Sequence, residues 1–297
     1  MISSKKVTYM KEQKLVLRNV DSFELEHIFE CGQCFRWNKQ EDGSYIGVIK
    51  DGVLKVSKRK NSVIFEGILE GDINSIVYDY FDLGTNYKKI KDELSELGES
   101  MRNGIEFGYG IRILKQDLWE MIISFIISAN NNIPRIKGII ERISEKCGKK
   151  ITWNNKDYYL FPTVKQLSKL SVSDLRLLGT GFRDKRIYNT TNMVLNKEID
   201  LEKLQLLSNT DEIREELLRL DGVGDKVADC ISLFALRRYD SFPVDVWVRR
   251  VMNTLYIHNE DETKVTKKEL KELAENMFGD MAGLAQQYLF YWARENM

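Results

Sequence analysis

The sequence predicts an α+β protein, in which a small antiparallel β-sheet domain at residues 1–110 precedes a mostly helical domain at residues 111–297. Two patterns lead to this prediction. Apolar and polar side chains alternate in the first part, as they do in strands, whereas apolar residues recur at helical spacing in the second part. The chain contains neither internal repeats nor low-complexity linkers, so we expect the two domains to pack together.

The sheet is predicted from three segments. Residues 44–49 and 53–56 alternate in polarity and are separated by a turn signal at 50–52, and residues 62–68 extend the pattern. Two helical insertions are expected in this domain, near residues 73–82 and 88–99.

The helical domain is predicted to begin with a helix capped by Asp117, because Leu118, Met121 and Phe125 follow at helical spacing. The later connections are short and the whole chain has only three prolines, which favours helices throughout the remainder. Helices are expected near residues 117–129, 134–147, 164–169, 173–178, 184–194, 211–219, 225–237, 245–256, 266–277 and 281–295.

The 45 basic and 45 acidic residues give a formal net charge of zero. Contact with nucleic acid must therefore rest on local patches of charge. No apolar run reaches the roughly 18 residues that a membrane span needs, and residues 1–6 lack the apolar core of a signal peptide. We therefore expect a cytoplasmic protein, and the absence of basic tails favours a prokaryotic cytoplasm or nucleoid.

The four cysteines, Cys31, Cys34, Cys147 and Cys230, are too few and too scattered for a disulfide framework, so we expect reduced thiols. Cys31 and Cys34 have the spacing of half a zinc site or a redox pair. No second pair of this kind exists, and neither of the two histidines completes an obvious set of ligands. A late run of four cysteines that could hold an iron–sulfur cluster is also absent, so we expect no required cofactor.

The most informative segment, residues 217–230, is predicted to form a helix, a tight turn at Gly222-Val223-Gly224 and a second helix. The glycines allow the backbone to turn sharply and to approach a ligand closely. The start of the second helix adds unpaired N–H groups and the positive end of its dipole. This arrangement predicts a site that binds phosphate through the backbone.

Lys226 and Cys230 lie four residues apart on the second helix, so their side chains share one face. Residues 241–247 follow, and their extended Pro-Val stretch places Asp245 at the start of another helix, where aspartate is a favoured cap. Taken alone, either charged residue is more often a surface charge or a structural cap. Together with the hairpin, they form a specific combination.

This combination resembles the helix-hairpin-helix DNA glycosylase superfamily, in which a lysine after the hairpin and an aspartate after a Pro-Val stretch form the active site. Four further segments resemble the 8-oxoguanine DNA glycosylase family, so the similarity covers most of the chain. They are residues 32–37, 130–135, 181–183 and 282–290. The resemblance implies a monomeric enzyme of base excision repair that binds damaged double-stranded DNA and combines glycosylase with abasic-site lyase activity.

The resemblance also implies how DNA is held while the damaged nucleotide is rotated out of the helix. Asn130 would fill the space that the nucleotide leaves, and Phe182 would wedge beside the estranged base. Arg135 and Arg183 would donate hydrogen bonds to a cytosine opposite the lesion, and the alternative is that they are ordinary solvated or phosphate-binding arginines. Three residues of the hairpin segment would contact the DNA backbone: Gly222, Gly224 and Val227.

For the damaged base, the resemblance implies stacking between Phe290 and the face of Cys230, with Gln286 on the Watson–Crick edge. The carbonyl of Gly32 would accept a hydrogen bond from N7–H of 8-oxoguanine, whereas guanine presents a lone pair there. A buried polar group left unpaired costs about 1–3 kcal/mol, which explains discrimination by a single atom. The alternative is that Gly32 is only a turn glycine.

Lys226 is implied to be the nucleophile that attacks C1′ and forms a Schiff base, after which β-elimination nicks the strand. The amine must be neutral to attack, and Cys230 on the same face is a candidate to exchange charge with it. Asp245 would stabilise the positive charge that develops on the sugar and orient the lysine. This role is compatible with that of a helix cap.

The superfamily further implies a structural monovalent cation, held by the carbonyls of Leu218, Leu220 and Val223. Two residues depart from the family pattern: Trp247 stands where a histidine is frequent, and Phe182 replaces a frequent tyrosine. The strictness for cytosine is therefore left open. Two other functions are also left open, a relative specialised for another damaged base and a helix-hairpin-helix module that binds DNA without catalysis.

Overall fold

The computed structural model describes residues 10–297. Residues 1–9, which include the start of the chain where no signal peptide is predicted, lie outside the described residues. No helix among the described residues is long and apolar enough to cross a membrane.

Five antiparallel strands form the amino-terminal sheet in the order β1-β5-β4-β3-β2. They are β1 (Met10–Arg18), β2 (Trp37–Lys39), β3 (Tyr45–Ile49), β4 (Gly52–Arg59) and β5 (Ser62–Glu70). Strands β3, β4 and β5 confirm the three predicted segments. Tyr45, Val56 and Phe65 pair in register across them and are buried, so one face of the sheet covers a core.

The sequence does not predict β1, because the strand buries few side chains and its apolar and polar residues therefore alternate only weakly. This strand lies at the edge of the sheet and pairs only with β5. Leu15 and Leu17 are only half-buried, and Val16 between them is exposed. An edge strand with so little buried surface gives a weak alternation of hydrophobicity.

The described residues form fifteen α-helices. They are α1 (Leu25–Phe29), α2 (Ile73–Tyr80), α3 (Tyr87–Ser95), α4 (Glu99–Phe107), α5 (Leu118–Ser128), α6 (Ile133–Cys147), α7 (Val164–Leu167), α8 (Val172–Leu175), α9 (Asp184–Leu195), α10 (Leu201–Leu206), α11 (Thr210–Leu218), α12 (Asp225–Leu236), α13 (Val246–Met252), α14 (Lys267–Phe278) and α15 (Ala282–Asn296). All the predicted helices are present, and Asp117 caps α5 by accepting a hydrogen bond from the N–H of Glu120.

The structure differs from the predicted helices in three respects. Helices α8 and α13 end earlier than expected, and each continues as a π-helical turn, at Arg176–Thr180 and Asn253–Ile257. A hairpin of β6 (Lys150–Trp153) and β7 (Lys156–Tyr159) interrupts the helices. The short helices α1, α4 and α10 were also not expected from the sequence.

Helix α5 lies at the centre of the helical core, because its side chains are apolar around nearly the whole circumference. Phe125 of α5 stacks on Phe234 of α12, with ring centroids 5.8 Å apart. This contact fixes the helix that follows the hairpin against the most buried helix of the domain.

The sheet and the helices pack together, as predicted. Phe35 contacts Phe125 edge-on with ring centroids 5.5 Å apart, and Nη2 of Arg36 donates a hydrogen bond of 2.6 Å to the carbonyl of Tyr159. Tyr87 of α3 and Met101 of α4 belong to the same core as α5. The loop between α1 and β2 is thereby held against α5 and β7. The boundary near residue 110 stays a prediction.

Candidate active site

The hairpin between α11 and α12 has the geometry of a phosphate site. Gly222 adopts φ +88°, which favours glycine, and Gly224 is the N-cap of α12. Because Gly224 has no side chain to cap the helix, the first N–H groups of α12, including that of Val227, have no intrahelical partner. The carboxylate of Asp225 beside them is paired with Arg214.

The same hairpin presents carbonyl oxygens that fit the implied cation. The carbonyls of Leu218 and Val223 accept no hydrogen bond from the described residues. That of Leu220 accepts one, from the N–H of Val223 at 3.1 Å, and keeps a second lone pair. No cluster of histidine, cysteine or carboxylate side chains with metal-binding geometry occurs in residues 10–297. A cation bound here would therefore be coordinated by backbone carbonyl oxygens.

Lys226, on the first turn of α12, is partly buried, and its Nζ lies 5.7 Å from the centroid of the Phe125 ring. The interaction with the Cys230 side chain raises the pKa of Lys226, burial opposes this shift and Asp245 adds to it. Burial raises the pKa of Cys230 to about 11, so this thiol keeps its proton at neutral pH. The exchange of charge between Cys230 and Lys226 therefore stays a prediction.

Asp245 caps α13, with Oδ1 accepting a hydrogen bond of 2.8 Å from the N–H of Val248. Asp245 and Lys226 line the same pocket. The second carboxylate oxygen has no hydrogen-bond partner among the described residues. The capping bond therefore fixes the side chain and leaves one oxygen for the pocket.

This pocket has a volume of about 40 Å³, which admits a few water molecules. Its lining consists of Cys31, Gly32, Phe125, Lys226, Cys230, Phe234, Pro243, Asp245, Gln286, Gln287 and Phe290. The Phe290 ring rests on Gly32, where a Cβ would lie 3.2 Å from Cε1 of the ring. A purine base would have to displace this ring. Clefts of about 610 and 630 Å³ elsewhere contain none of the predicted site residues.

Two hydrogen-bond acceptors in the pocket have no partner. Oε1 of Gln286 is buried and unpaired, and no donor among residues 10–297 reaches the carbonyl of Gly32. Buried polar atoms without partners are uncommon in folded proteins. These two acceptors are therefore candidates to meet donors on a ligand.

The predicted DNA-contacting residues come together outside the pocket, at a second place on the surface, which is formed by Asn130, Arg135, Phe182 and Arg183. A Cβ on Gly181 would lie 3.8 Å from Nη2 of Arg135 and 4.0 Å from Nη1 of Arg183, so the two guanidinium groups converge. The side chain of Phe182 between them is 56% exposed, as a wedge requires. Asn130 adopts a left-handed backbone conformation with φ +51°.

Arg183 is less available than the sequence suggests. Its side chain is buried, and its guanidinium donates hydrogen bonds to the carbonyls of Ala129, Asn130 and Thr180. Four of its five N–H groups take part, and an N–H on Nη1 remains. The bond to cytosine stays a prediction, and in this structure only that N–H is free to make it.

The sequence does not single out Arg186, which contacts both parts of the DNA-facing surface. Its guanidinium carbon lies 5.6 Å from the centroid of the Phe182 ring, and its side chain crosses Gly222. The spacing of four residues from Phe182 on one helical face is the signal that could have identified it. Trp247, where the family often has histidine, instead packs against Arg250 at 5.3 Å.

Comparison with protein-family models assigns both parts of the chain. Residues 15–122 match the N-terminal domain of 8-oxoguanine DNA glycosylase, and residues 123–276 match the HhH-GPD superfamily of base excision DNA repair proteins. Two curated relatives cover most of the chain. A probable N-glycosylase/DNA lyase of Methanothermobacter thermautotrophicus is 34% identical over 73% of this chain and 72% of its own length. The N-glycosylase/DNA lyase of Saccharomyces cerevisiae is 31% identical over 84% and 71%, respectively.

A solved structure has the same fold over nearly its whole length. The 8-oxoguanine glycosylase/lyase of Clostridium acetobutylicum, in complex with double-stranded DNA containing cytosine opposite 8-oxoguanine, is 44% identical. It superposes with a TM-score of 0.91 and covers 97% of this chain and 98% of its own.

Proposed function

Since this chain belongs to the 8-oxoguanine DNA glycosylase/lyase family of the helix-hairpin-helix superfamily, we propose that it removes 8-oxoguanine from duplex DNA, preferentially opposite cytosine, through Lys226. It is a DNA repair enzyme with glycosylase and lyase activities. The observation that carries the proposal is the convergence of an amine, a carboxylate and two unpaired acceptors in one pocket.

The two acceptors match the donors of the damaged base. Oε1 of Gln286 is placed to accept from the Watson–Crick edge of guanine or 8-oxoguanine, which carries N1–H and an exocyclic amino group. The carbonyl of Gly32 accepts from N7–H, a donor that only the oxidised base has. The base stacks between Phe290, once this ring has moved off Gly32, and the face of Cys230.

Lys226 attacks after losing its proton. The pKa of Lys226 is raised in this structure, so the amine is protonated at neutral pH. Entry of an uncharged purine removes water from around the amine, which lowers its pKa. The ammonium gives its proton to solvent, and the neutral Nζ then forms a bond to C1′ while the bond from C1′ to N9 breaks. The electron pair leaves with the base, which takes up the proton that the newly bonded Nζ releases.

The lyase step follows from the covalent intermediate. Opening of the sugar ring gives a Schiff base between Lys226 and C1′, and loss of a proton from C2′ expels the 3′ phosphate. The free oxygen of Asp245 faces the same pocket and stabilises the positive charge on the sugar. Its capping bond to Val248 holds that charge in place without further reorganisation.

The opposite strand is held at the second place on the surface. Phe182 and Asn130 occupy the space near the vacated stack, and Arg135 and Arg183 reach the estranged base. The backbone of Gly222, Gly224 and Val227 holds a phosphate, and a monovalent cation bound by the hairpin carbonyls would add positive charge beside it. One chain supplies all of these groups, so we propose that the enzyme acts as a monomer.

The test is borohydride trapping on duplexes that carry one 8-oxoguanine opposite each of the four bases. The native chain is expected to form a covalent adduct most rapidly opposite cytosine, and Lys226→Gln is expected to form none. Equal rates of trapping opposite all four bases would contradict the proposed preference for cytosine. Trapping only on duplexes with other damaged bases would identify a related glycosylase, and DNA binding without base release would leave a binding module.

A further inference from the structure

The short turn that carries Gly32 is held from both sides by glutamine side chains. Nε2 of Gln287, on α15, donates a hydrogen bond of 2.7 Å to the carbonyl of Cys31. Nε2 of Gln116, in the loop before α5, donates one of 2.7 Å to the carbonyl of Gln33. The carbonyl between them, that of Gly32, accepts no hydrogen bond from residues 10–297, and Gly32 lines the pocket.

We infer that Gln287 is a positioning residue for recognition of the damaged base, because it fixes the peptide that precedes Gly32; this inference rests on the proposed function. A glycine with φ +85° has few steric limits on its neighbouring peptides, so the Gly32 carbonyl needs outside contacts to fix its direction. Gln287 supplies one such contact from the helix that also carries Gln286 and Phe290.

Burial makes this contact specific. Gln287 is only 2% exposed, and a buried carbonyl must be met by a donor, so the amide nitrogen faces Cys31. Cys31 and Gln287 lie 256 residues apart in the chain, and the bond joins the sheet domain to the last helix. Next to it, Nε2 of Gln33 donates a hydrogen bond of 3.3 Å to the sulfur of Cys31 and one of 2.9 Å to the carbonyl of Ile28, so the turn is also held from within.

The contact also couples the parts of the base site. Gln286 and Phe290 lie on α15, whereas Gly32 lies on the turn from the sheet domain. A bond between α15 and that turn sets the distance between the acceptor for N7–H and the acceptor for the Watson–Crick edge. Loss of the bond should therefore weaken selection of the oxidised base more than the chemistry at Lys226.

The test compares Gln287→Leu with the native chain on two duplexes, one with 8-oxoguanine opposite cytosine and one with a preformed abasic site. The abasic duplex has no base to select, so its cleavage reports Lys226 alone. Loss of one hydrogen bond in the recognition step is expected to slow single-turnover removal of 8-oxoguanine about tenfold, with abasic-site cleavage within about twofold of native.

A second measurement uses binding in place of turnover. In a Lys226→Gln background, Gln287→Leu is expected to reduce the ratio of affinities for 8-oxoguanine and guanine duplexes about tenfold. Gln116→Leu removes the other clamp and is expected to act in the same direction. Asn253→Leu is the matched control. Asn253 is a buried amide in the π-helical turn after α13, and its side chain bonds only to the nearby backbone of Asn259 among the described residues.

The outcomes separate the inference from the proposed function. An equal fall in both activities of Gln287→Leu, or an unchanged affinity ratio, would overturn the positioning role and leave 8-oxoguanine removal intact. Failure of the native chain to release 8-oxoguanine, while it cleaves abasic sites, would overturn the proposed substrate and the role of Gln287 with it.

Discussion

Nη2 of Arg183 donates a hydrogen bond of 2.9 Å to the carbonyl of Asn130, which itself has a left-handed backbone conformation with φ +51°. The same guanidinium donates to the carbonyl of Ala129. An arginine expected to read the opposite base therefore also shapes the loop expected to fill the DNA stack. Because Arg183 is expected both to read the base and to hold the loop, its substitution should affect stability as well as base preference, whereas substitution of Arg135 should affect base preference alone.

Arg183→Ala is expected to lower the free energy of unfolding, because it leaves the buried carbonyl of Thr180 and the partly buried carbonyl of Ala129 without their donors. Each unpaired group costs about 1–3 kcal/mol. Arg135→Ala, which removes an exposed side chain, is expected to leave the melting temperature nearly unchanged. Both variants are expected to reduce the preference for cytosine. Melting curves and excision rates opposite cytosine and adenine check this, and equal stability of the two variants would contradict the structural role of Arg183.

Gly32→Ala is expected to impair both folding and base recognition. Alanine at φ +85° is strained by about 1 kcal/mol or more, and its Cβ would press on the Phe290 ring at 3.2 Å. Gly224→Ala is the control for stability, because Gly224 has ordinary φ and open space around its Cβ direction. Calorimetry of both variants measures the difference. A Gly32→Ala chain as stable as Gly224→Ala would mean that the turn adapts to a side chain.

The sequence predicted which residues meet in the pocket because its main signals are local. The hairpin glycines, Lys226 and Cys230 lie within one short segment, and Asp245 follows an extended stretch that could only precede a helix. The hairpin of β6 and β7 also has a local signal that was missed. Asn154 and Asn155 both have positive φ, as a two-residue turn between strands requires, and asparagine tolerates that conformation.

The contacts that could not be predicted join distant segments. Nothing near Gln287 in the sequence indicates that its partner is the carbonyl of Cys31, because a glutamine within a helix is usually solvated. The bonds from Arg183 to the Asn130 loop are hidden in the same way. The protonation of Cys230 depends on burial, which tertiary packing decides.

Glu120 on α5 gives a prediction about pH. Burial raises the pKa of Glu120 to about 7, with Arg36 opposing the shift. A carboxyl with a raised pKa favours folding below its unfolded pKa of 4.5 and loses that advantage as pH rises through 7. Glu120→Gln, which mimics the neutral acid, is therefore expected to be more stable than the native chain at pH 8, by up to about 3 kcal/mol, and similar to it at pH 4.5.

Chemical denaturation at the two pH values checks this prediction. Glu141→Gln is the matched control, because Glu141 is half-exposed and lies 3.4 Å from the same Arg36. The control is expected to show little change with pH, since the half-exposed carboxylate of Glu141 is screened by solvent and such a pair contributes little to stability. A Glu120→Gln chain that is less stable than the native chain at pH 8 would show that the buried carboxylate is needed as a partner for Arg36.

Arg186 is expected to bind a DNA phosphate, because it lies between the exposed Phe182 ring and the hairpin turn at Gly222. The backbone of Gly222 comes close to the arginine side chain, so both groups face the same stretch of DNA. A phosphate contact releases about one counterion, and Arg186→Ala should therefore reduce the slope of log affinity against log salt by about 1. Arg186→Lys is expected to keep that slope. Titrations of undamaged duplex at several salt concentrations measure the slope. An unchanged slope in Arg186→Ala would show that Arg186 binds no phosphate and only packs against Phe182.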